Sequence, residues 1–175
     1  MSPGFAGVAR HHPEVFATYA AYVDEVWASD ALPPGTLELC RVRIAQLLGV
    51  ESEQAVRLGP AVAGLEPKLA RLAAWTDDAR FTDVDRVCLA FAEQFLLDTQ
   101  ALDDPTAAAV RERVGDAGLV TLALGVGLAE GMIRAAVTLG DRPSAGRYVS
   151  AADRAAGAGG AAVLDQAHDP GPDRG

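Results

Sequence analysis

The segment 117–140, "AGLVTLALGVGLAEGMIRAAVTLG", constrains the fold most, because nearly all of it is apolar and must be kept from water. A membrane span needs about 20 mostly uncharged apolar residues, and Glu130 and Arg134 interrupt this segment. These two charges stand four residues apart and are expected to pair. The segment therefore predicts a long helix buried in a bundle or in a homo-oligomer, with no membrane partner.

Helical spacing continues over most of the chain and predicts an all-α fold. Apolar residues recur at this spacing over 15–27 and 37–48, and the breaker "SDALPPG" separates the two helices. A short helix is predicted over 52–58 and a further one over 66–75. We see no strand pattern and no repeat of a solenoid period.

The second half of the chain contains two sequence signals for the start of a helix. Thr82 can cap a helix, Asp85 stands at its third position, and Phe81 can pack back on the first turn. The pair Asp104-Pro105 predicts another start. The last long helix is predicted over 117–139, with Gly140 after it.

The composition changes at about residue 145. From there the chain is rich in Ala, Gly, Asp and Pro, as in "AAGAGGAAV". Such a segment has little apolar surface to bury, so it predicts a disordered tail. The sequence therefore predicts one helical domain over 1–144 and a disordered tail over 145–175.

Charge and cysteine content restrict the partners and the compartment. The net charge is -9, and no run of Lys or Arg exists, so nucleic acid and anionic membranes are not expected as partners. The N-terminus lacks the basic start and apolar block of a signal peptide, and two cysteines are too few for a disulfide scaffold. We therefore expect a cytoplasmic protein. The chain has many arginines but a single lysine, and it is rich in Ala and Gly. This composition is typical of a G+C-rich bacterial genome.

The order of these helices carries a family resemblance. The stretch "HPEVFATYAAYVDEVWASDALPPGTLELCRVRIAQLLG", followed by a turn, a short helix and "LG", resembles the carboxymuconolactone decarboxylase / alkylhydroperoxidase AhpD-like superfamily. The segment from "FTDVDRVCLAF" to the final long helix is similar to the second half of that family. The resemblance covers roughly residues 11–141. It implies an AhpD-like helical bundle that assembles as dimers, trimers or hexamers.

The resemblance also places a candidate active site at the turn after the second helix. Members of the thiol-active branch carry Cys-x-x-Cys there, a histidine four residues later, and a glutamate twelve residues before the first cysteine. In this chain the glutamate is retained as Glu38, while Val50, Glu53 and Arg57 stand at the other three places. Valine and glutamate cannot attack a peroxide or form a disulfide, so the dithiol mechanism cannot operate at this turn.

Glu38, Glu53 and Arg57 are accordingly our candidate catalytic residues. Arg57 has the planar fork that binds a substrate carboxylate, and the two glutamates can act as general base or acid. Plainer interpretations stay open beside these. Glu38 can be an acid favoured at a helix start, and Glu53 and Arg57 can form an exposed ion pair four residues apart.

Three functions remain open from the sequence. The first is a non-thiol enzyme that performs acid/base chemistry on a small organic acid or lactone, of a carboxymuconolactone decarboxylase-like lyase or isomerase type. The resemblance implies this, because the decarboxylase branch works on a lactone acid without cysteine, although the residues of that branch cannot be matched here. The second is an alkylhydroperoxidase-type antioxidant activity with Cys40 and Cys88 as relocated thiols. The third is a non-catalytic oligomeric protein that binds a small molecule.

No metal or organic cofactor is expected. His11 and His12 are adjacent, so their rings point in different directions, and no further cluster at ligand spacing accompanies them. The only glycine-rich run, "GAGG" at 157–160, follows no predicted strand, so it does not indicate a phosphate-binding loop.

Overall fold

The structure, a computed structural model, describes residues 11–97 and 104–138, and every regular element within these ranges is helical. The all-α prediction is thus confirmed for them. The predicted tail and the helix end at Gly140 lie outside the described residues. The elements in chain order are α1 (Pro13–Ala28), α2 (Thr36–Leu47), α3 (Glu51–Gln54), α4 (Leu65–Leu69), a 3-10 turn (Leu72–Ala74), α5 (Asp83–Leu97) and α6 (Asp104–Thr138).

Helix α2 lies at the centre of the bundle. It packs against α5 and α6 and is also contacted by the short elements α3 and α4. Nine of its 12 residues are buried, so apolar and polar positions alike are removed from water. A charged side chain on such a helix must find its partners inside the protein. This requirement determines the geometry of the candidate site.

The predicted start of α5 is confirmed. The Thr82 hydroxyl accepts a hydrogen bond from Asp85 N at 3.2 Å, and the Asp85 carboxylate accepts one from Thr82 N at 2.8 Å. Phe81, just before this capping box, is buried. Lys68 also donates to Asp85 at 2.5 Å, which connects α4 to the start of α5.

The predicted short helix over 52–58 is wrong in its extent, because α3 ends at Gln54. The backbone beyond it bonds to side chains instead of continuing a helix. Val56 O accepts from Arg41 and Arg57, and Leu58 N donates to Glu38. Side chains have thus replaced the helical partners of these main-chain groups.

The predicted helix over 66–75 is likewise two pieces. Helix α4 ends at Leu69, and a separate 3-10 turn covers Leu72–Ala74. Between them Arg71 has a non-helical backbone, with φ -117° and ψ 9°.

Helix α6 contains residues 117–138 of the long apolar segment. Gly115, with φ 72° and ψ -179°, interrupts it and separates the two helices that the sequence predicts. The predicted pair is present, because Arg134 Nε donates to Glu130 Oε1 at 2.9 Å.

The second part of α6 is not fully covered by the rest of the chain. By length and composition the helix could cross a membrane. Within the bundle, 39% of its most apolar 18-residue window is buried. Val120, Leu124 and Val137 are large apolar side chains exposed on it. The helix therefore has a buried face in the core and an exposed apolar face around Val120 and Leu124, which we call the α6 outer face.

Candidate functional site

Two charged side chains of α2 form the base of the candidate site. Glu38 and Arg41 stand three residues apart on this central helix, so both point to the same side of it. Glu38 is only 3% exposed, and Arg41 is completely buried. The Arg41 guanidinium donates to Glu38 Oε1 from Nε at 3.0 Å and from Nη2 at 2.8 Å. The pair is thus a two-bond ion pair that is almost completely removed from solvent.

Arg41 also binds the segment that follows α2. Its Nη1 donates to the main-chain oxygen of Glu53 at 2.9 Å and to Glu53 Oε2 at 3.4 Å, and its Nη2 donates to Val56 O. A guanidinium has five N–H groups, and these contacts together with those to Glu38 account for all of them. Arg41 therefore has no donor left for a ligand, and it acts by positioning Glu38 and Glu53.

Glu38 is saturated in the same way. Besides the two bonds from Arg41 to Oε1, its Oε2 accepts from Trp27 Nε1 at 3.2 Å and from Leu58 N at 3.3 Å. A carboxylate offers about four lone-pair positions, so Glu38 has none to spare for a substrate proton. Its role in this geometry is to connect α1, α2 and the 56–58 segment.

Glu53 differs from Glu38 in the hydrogen bonding of one carboxylate oxygen. The residue is 1% exposed, and its Oε2 faces Arg41. Its Oε1 is buried and has no hydrogen-bond partner among the residues that the structure describes, a property shared only with Thr36 Oγ1 in that part of the chain. Unpaired buried polar atoms are costly and rare, and in native proteins they call for an explanation such as a catalytic role. Glu53 Oε1 is thus the acceptor of this network that remains open to a new partner.

Arg57 lies at the outer edge of this network. It does not pair with Glu53, and the expected ion pair four residues apart is absent. Its Nε and Nη2 bind the two carboxylate oxygens of Glu66, at 2.9 and 3.1 Å, while its Nη1 donates to the carbonyls of Gln54 at 2.6 Å and Val56 at 2.8 Å. The hydrogen bonds from Arg57 to the Glu66 carboxylate lower the pKa of Glu66. Burial opposes this effect, and the charge of Arg57 adds to it.

The main-chain oxygen of Val56 joins the buried part of this network to its outer part. Val56 O accepts from Arg41 on the buried side and from Arg57 on the outer side. The structure thus brings Glu38 and Glu53 together through Arg41, and it places Arg57 one carbonyl away. We call the connected set Glu38, Arg41, Glu53 and Arg57 the charged network.

The sequence analysis missed Arg41. The available signal was its place between the apolar residues Cys40 and Val42, three residues after Glu38. A charge at that place has to be paired with a nearby acid or with carbonyls. The central position of α2, which buries nine of its 12 residues, is a property of the packed bundle and not of this helix alone.

The two cysteines lie in the core and are not joined. Cys40 and Cys88 are free, and both are buried. Burial raises the pKa of the Cys88 thiol to about 12, and burial followed by the nearby Cys88 and Asp85 raises the pKa of Cys40 well above its usual range. A protonated, enclosed thiol is a poor nucleophile, so this environment is unfavourable for a peroxidase.

No group of three or more His, Cys, Asp or Glu side chains within residues 11–97 and 104–138 is arranged to hold a metal ion. His11 and His12 are exposed at the start of α1. Neither a model of a known protein family nor a curated protein matches the chain.

Proposed function

We propose that the protein is a non-thiol enzyme that performs acid/base chemistry on a small organic acid or lactone. In this proposal Glu53 transfers the proton, Arg57 binds the carboxylate of the ligand, and Glu38 and Arg41 are positioning residues. The observation that carries the proposal is the open Glu53 Oε1, a buried acceptor without a partner inside a network whose other members are satisfied.

The surroundings of Glu53 suit proton transfer. Its Oε2 and its main-chain oxygen are held by Arg41, so the orientation of the carboxylate is fixed before any ligand arrives. A general base has to be in hydrogen-bond reach of the proton that it takes, and a fixed carboxylate with one open oxygen provides this. Because Glu53 is 1% exposed, the proposal requires a displacement of the four-residue helix α3 when a ligand binds.

Arg57 supports an acid as the substrate class. A guanidinium binds a carboxylate through two parallel hydrogen bonds, and Arg57 already makes this pattern with Glu66. Because Arg57 is 25% exposed, the same fork is within reach of a dissolved molecule.

The test is a reaction screen in D2O. The full chain is incubated with small organic acids and carboxylated γ-lactones, and loss of the proton next to the carbonyl, or of CO2, is followed by 1H NMR. We expect turnover with at least one compound, and we expect Glu53→Gln to abolish it. Glu51→Gln is the matched control, since it changes an exposed carboxylate of the same short helix that lies outside the charged network. Equal turnover in wild type and Glu53→Gln would refute the assignment.

The second candidate is a non-catalytic binding protein, and the saturation of Glu38 and Arg41 favours it. A network whose donors are all used inside the chain is what a purely structural cluster requires. This candidate predicts saturable binding of an acid without turnover of any compound in the screen. The relocated-thiol alternative is the least favoured, because both cysteines are buried and have raised pKa values.

We also propose membership of the carboxymuconolactone decarboxylase / AhpD-like superfamily. The support is the quoted sequence resemblance together with an all-helical core that ends in a long apolar helix. The retained Glu38 and the altered turn at Val50, Glu53 and Arg57 fit a member that has lost the redox dithiol.

The partner that we propose for the α6 outer face is a second copy of the chain. Val120 and Leu124 are four residues apart, so they lie on the same side of α6 and together leave an apolar surface uncovered. A lipid bilayer would have to accept Glu130 and Arg134, which lie on the same helix, whereas two copies can pair these charges across a two-fold interface. A homo-oligomer accounts for both observations.

A further inference from the structure

In the ion pair of Arg57 and Glu66, the Arg57 side chain is also held by main-chain carbonyls. The Arg57 guanidinium is held from behind by its Nη1, which donates to the carbonyls of Gln54 and Val56. Its Nε and Nη2 face outwards and bind the two oxygens of Glu66. The fork is thus fixed by the main chain, and its orientation does not depend on Glu66.

Glu66 is held much less firmly than its partner. Its side chain is 69% exposed, against 25% for Arg57, and Arg57 is the one hydrogen-bond partner that the described residues give it. It stands in the first turn of the five-residue helix α4. Exposed ion pairs contribute little to stability, because both groups are well hydrated when they separate. Glu66 can therefore leave the fork at small cost, while Arg57 stays in place.

We propose that the Glu66 carboxylate is an internal occupant of the ligand-carboxylate site and that a carboxylic acid must displace it to bind. This inference rests on the proposed function for the role of Arg57, and it adds a competitor that sets the affinity of the site. The two oxygens of Glu66 stand in for the two oxygens of a ligand carboxylate. The ligand class is a planar carboxylate, because the fork already accepts that shape.

The competition has a direct consequence for affinity. A ligand that must first expel Glu66 binds more weakly by the free energy of the internal ion pair. Removing the charge of Glu66 while keeping its shape should therefore tighten the binding of a carboxylate about two- to fivefold, the range given by exposed ion pairs. The affinity for a neutral analogue should not change.

The test uses the full chain with benzoate as the probe and benzamide as its neutral analogue. Binding is followed by NMR through the Arg57 Nε–H signal, in wild type and in Glu66→Gln. We expect a two- to fivefold lower Kd for benzoate in Glu66→Gln. Glu112→Gln, at an exposed position of α6, removes an equal charge elsewhere and should leave the Kd unchanged. In Arg57→Ala, which lacks the Arg57 signal, binding is followed through the 1H signals of benzoate, and we expect no saturable binding.

A second readout separates displacement from a general effect of charge. Arg57 lowers the pKa of Glu66, so benzoate at saturation should raise that pKa towards its usual value, as measured by 13C NMR of the Glu66 carboxyl. An unchanged Glu66 pKa, an equal Kd in wild type and Glu66→Gln, an equal gain in Glu112→Gln, or no saturable binding in either protein would each overturn the inference. These outcomes concern binding alone, so they are distinct from loss or retention of turnover in Glu53→Gln, which tests the proposed function.

Discussion

Arg41 is completely buried, and its charge is stabilised by the carboxylates of Glu38 and Glu53 and by two main-chain carbonyls. Transfer of a charge from water into an apolar core is costly, and this cost is offset only while every partner is present. The three side chains therefore depend on one another.

Replacement of Arg41 by methionine should expose this dependence. Two buried carboxylates would lose their counter-charge, and we expect the free energy of unfolding to fall by about 3–5 kcal/mol. The measurement is urea denaturation followed by circular dichroism. Arg111→Met is the matched control, because the pair of Arg111 with Asp116 is exposed and should be worth at most about 1 kcal/mol. A loss of less than 1 kcal/mol in Arg41→Met would contradict the account.

The thiols provide a second prediction at this scale. Because burial raises the pKa of Cys88 to about 12 and that of Cys40 well above its usual range, both are protonated near neutral pH. The native protein at pH 8 should react with Ellman's reagent at least about a hundredfold more slowly than the unfolded chain. Rapid reaction of the native protein would instead support a relocated peroxidase.

At the level of single residues, sequence reasoning located part of the charged network. It placed Glu38 and Glu53 at one site, and the structure connects them through Arg41. It placed Arg57 beside Glu53, whereas Arg57 binds Glu66 across the 58–64 loop. Spacing along the chain predicts neighbours within one helix, and here α3 ends before Arg57, so helical spacing no longer applies.

The turn between α2 and α3 is the element that brings Glu53 to Arg41. Gly49 has a left-handed backbone with φ 69°, and its N–H donates to Gln46 O at 3.1 Å. Val50 N donates to Ala45 O at 2.9 Å. This pattern ends α2 and reverses the chain, and it favours glycine at position 49.

Gly49→Ala should therefore destabilise the protein by about 1 kcal/mol, the cost of a left-handed backbone for a residue with a Cβ. Apart from its neighbours in the chain, no atom lies within 4 Å of the added Cβ, so the cost comes from the backbone conformation. Gly49→Asn should cost less, because asparagine tolerates this conformation better. Equal melting temperatures for wild type and Gly49→Ala would contradict this explanation.

Some elements are encoded locally and others are not. The capping box of Thr82 and Asp85 was predictable, because its hydrogen bonds join residues three apart in sequence. The end of α3 at Gln54 was not predictable, because it results from side chains of α2 that bind Val56 and Leu58. Only the packed bundle brings those groups together.

For the whole molecule, the incomplete burial of α6 determines the expected assembly. The apolar segment 117–140 predicted a long helix, and the described part of it is one. Whether the uncovered side of α6 faces another copy of the chain is a property of the assembly. The sequence of a single chain gives only a reason to expect such a contact, which is the long apolar segment. The resemblance supplied the expectation of dimers, trimers or hexamers.

Leu124→Glu should disrupt this assembly, since it puts a charge on the α6 outer face. We expect size-exclusion chromatography with light scattering to give an oligomer for wild type and a smaller species for the variant. Ala108→Glu adds the same charge at an exposed position before Gly115 and should leave the oligomer intact. A wild-type monomer, or an unchanged oligomer in Leu124→Glu, would refute the proposed interface.

The most direct test of the central claim separates the roles of Glu53 and Arg57 in one kinetic measurement. With a substrate found in the D2O screen, Glu53→Gln should lower kcat by at least about a hundredfold and leave KM nearly unchanged, because it removes the proton acceptor. Arg57→Ala should raise KM by about ten- to a hundredfold, the scale of a charged hydrogen bond, with little effect on kcat. A Glu53→Gln enzyme that keeps the wild-type kcat would contradict the claim that Glu53 transfers the proton.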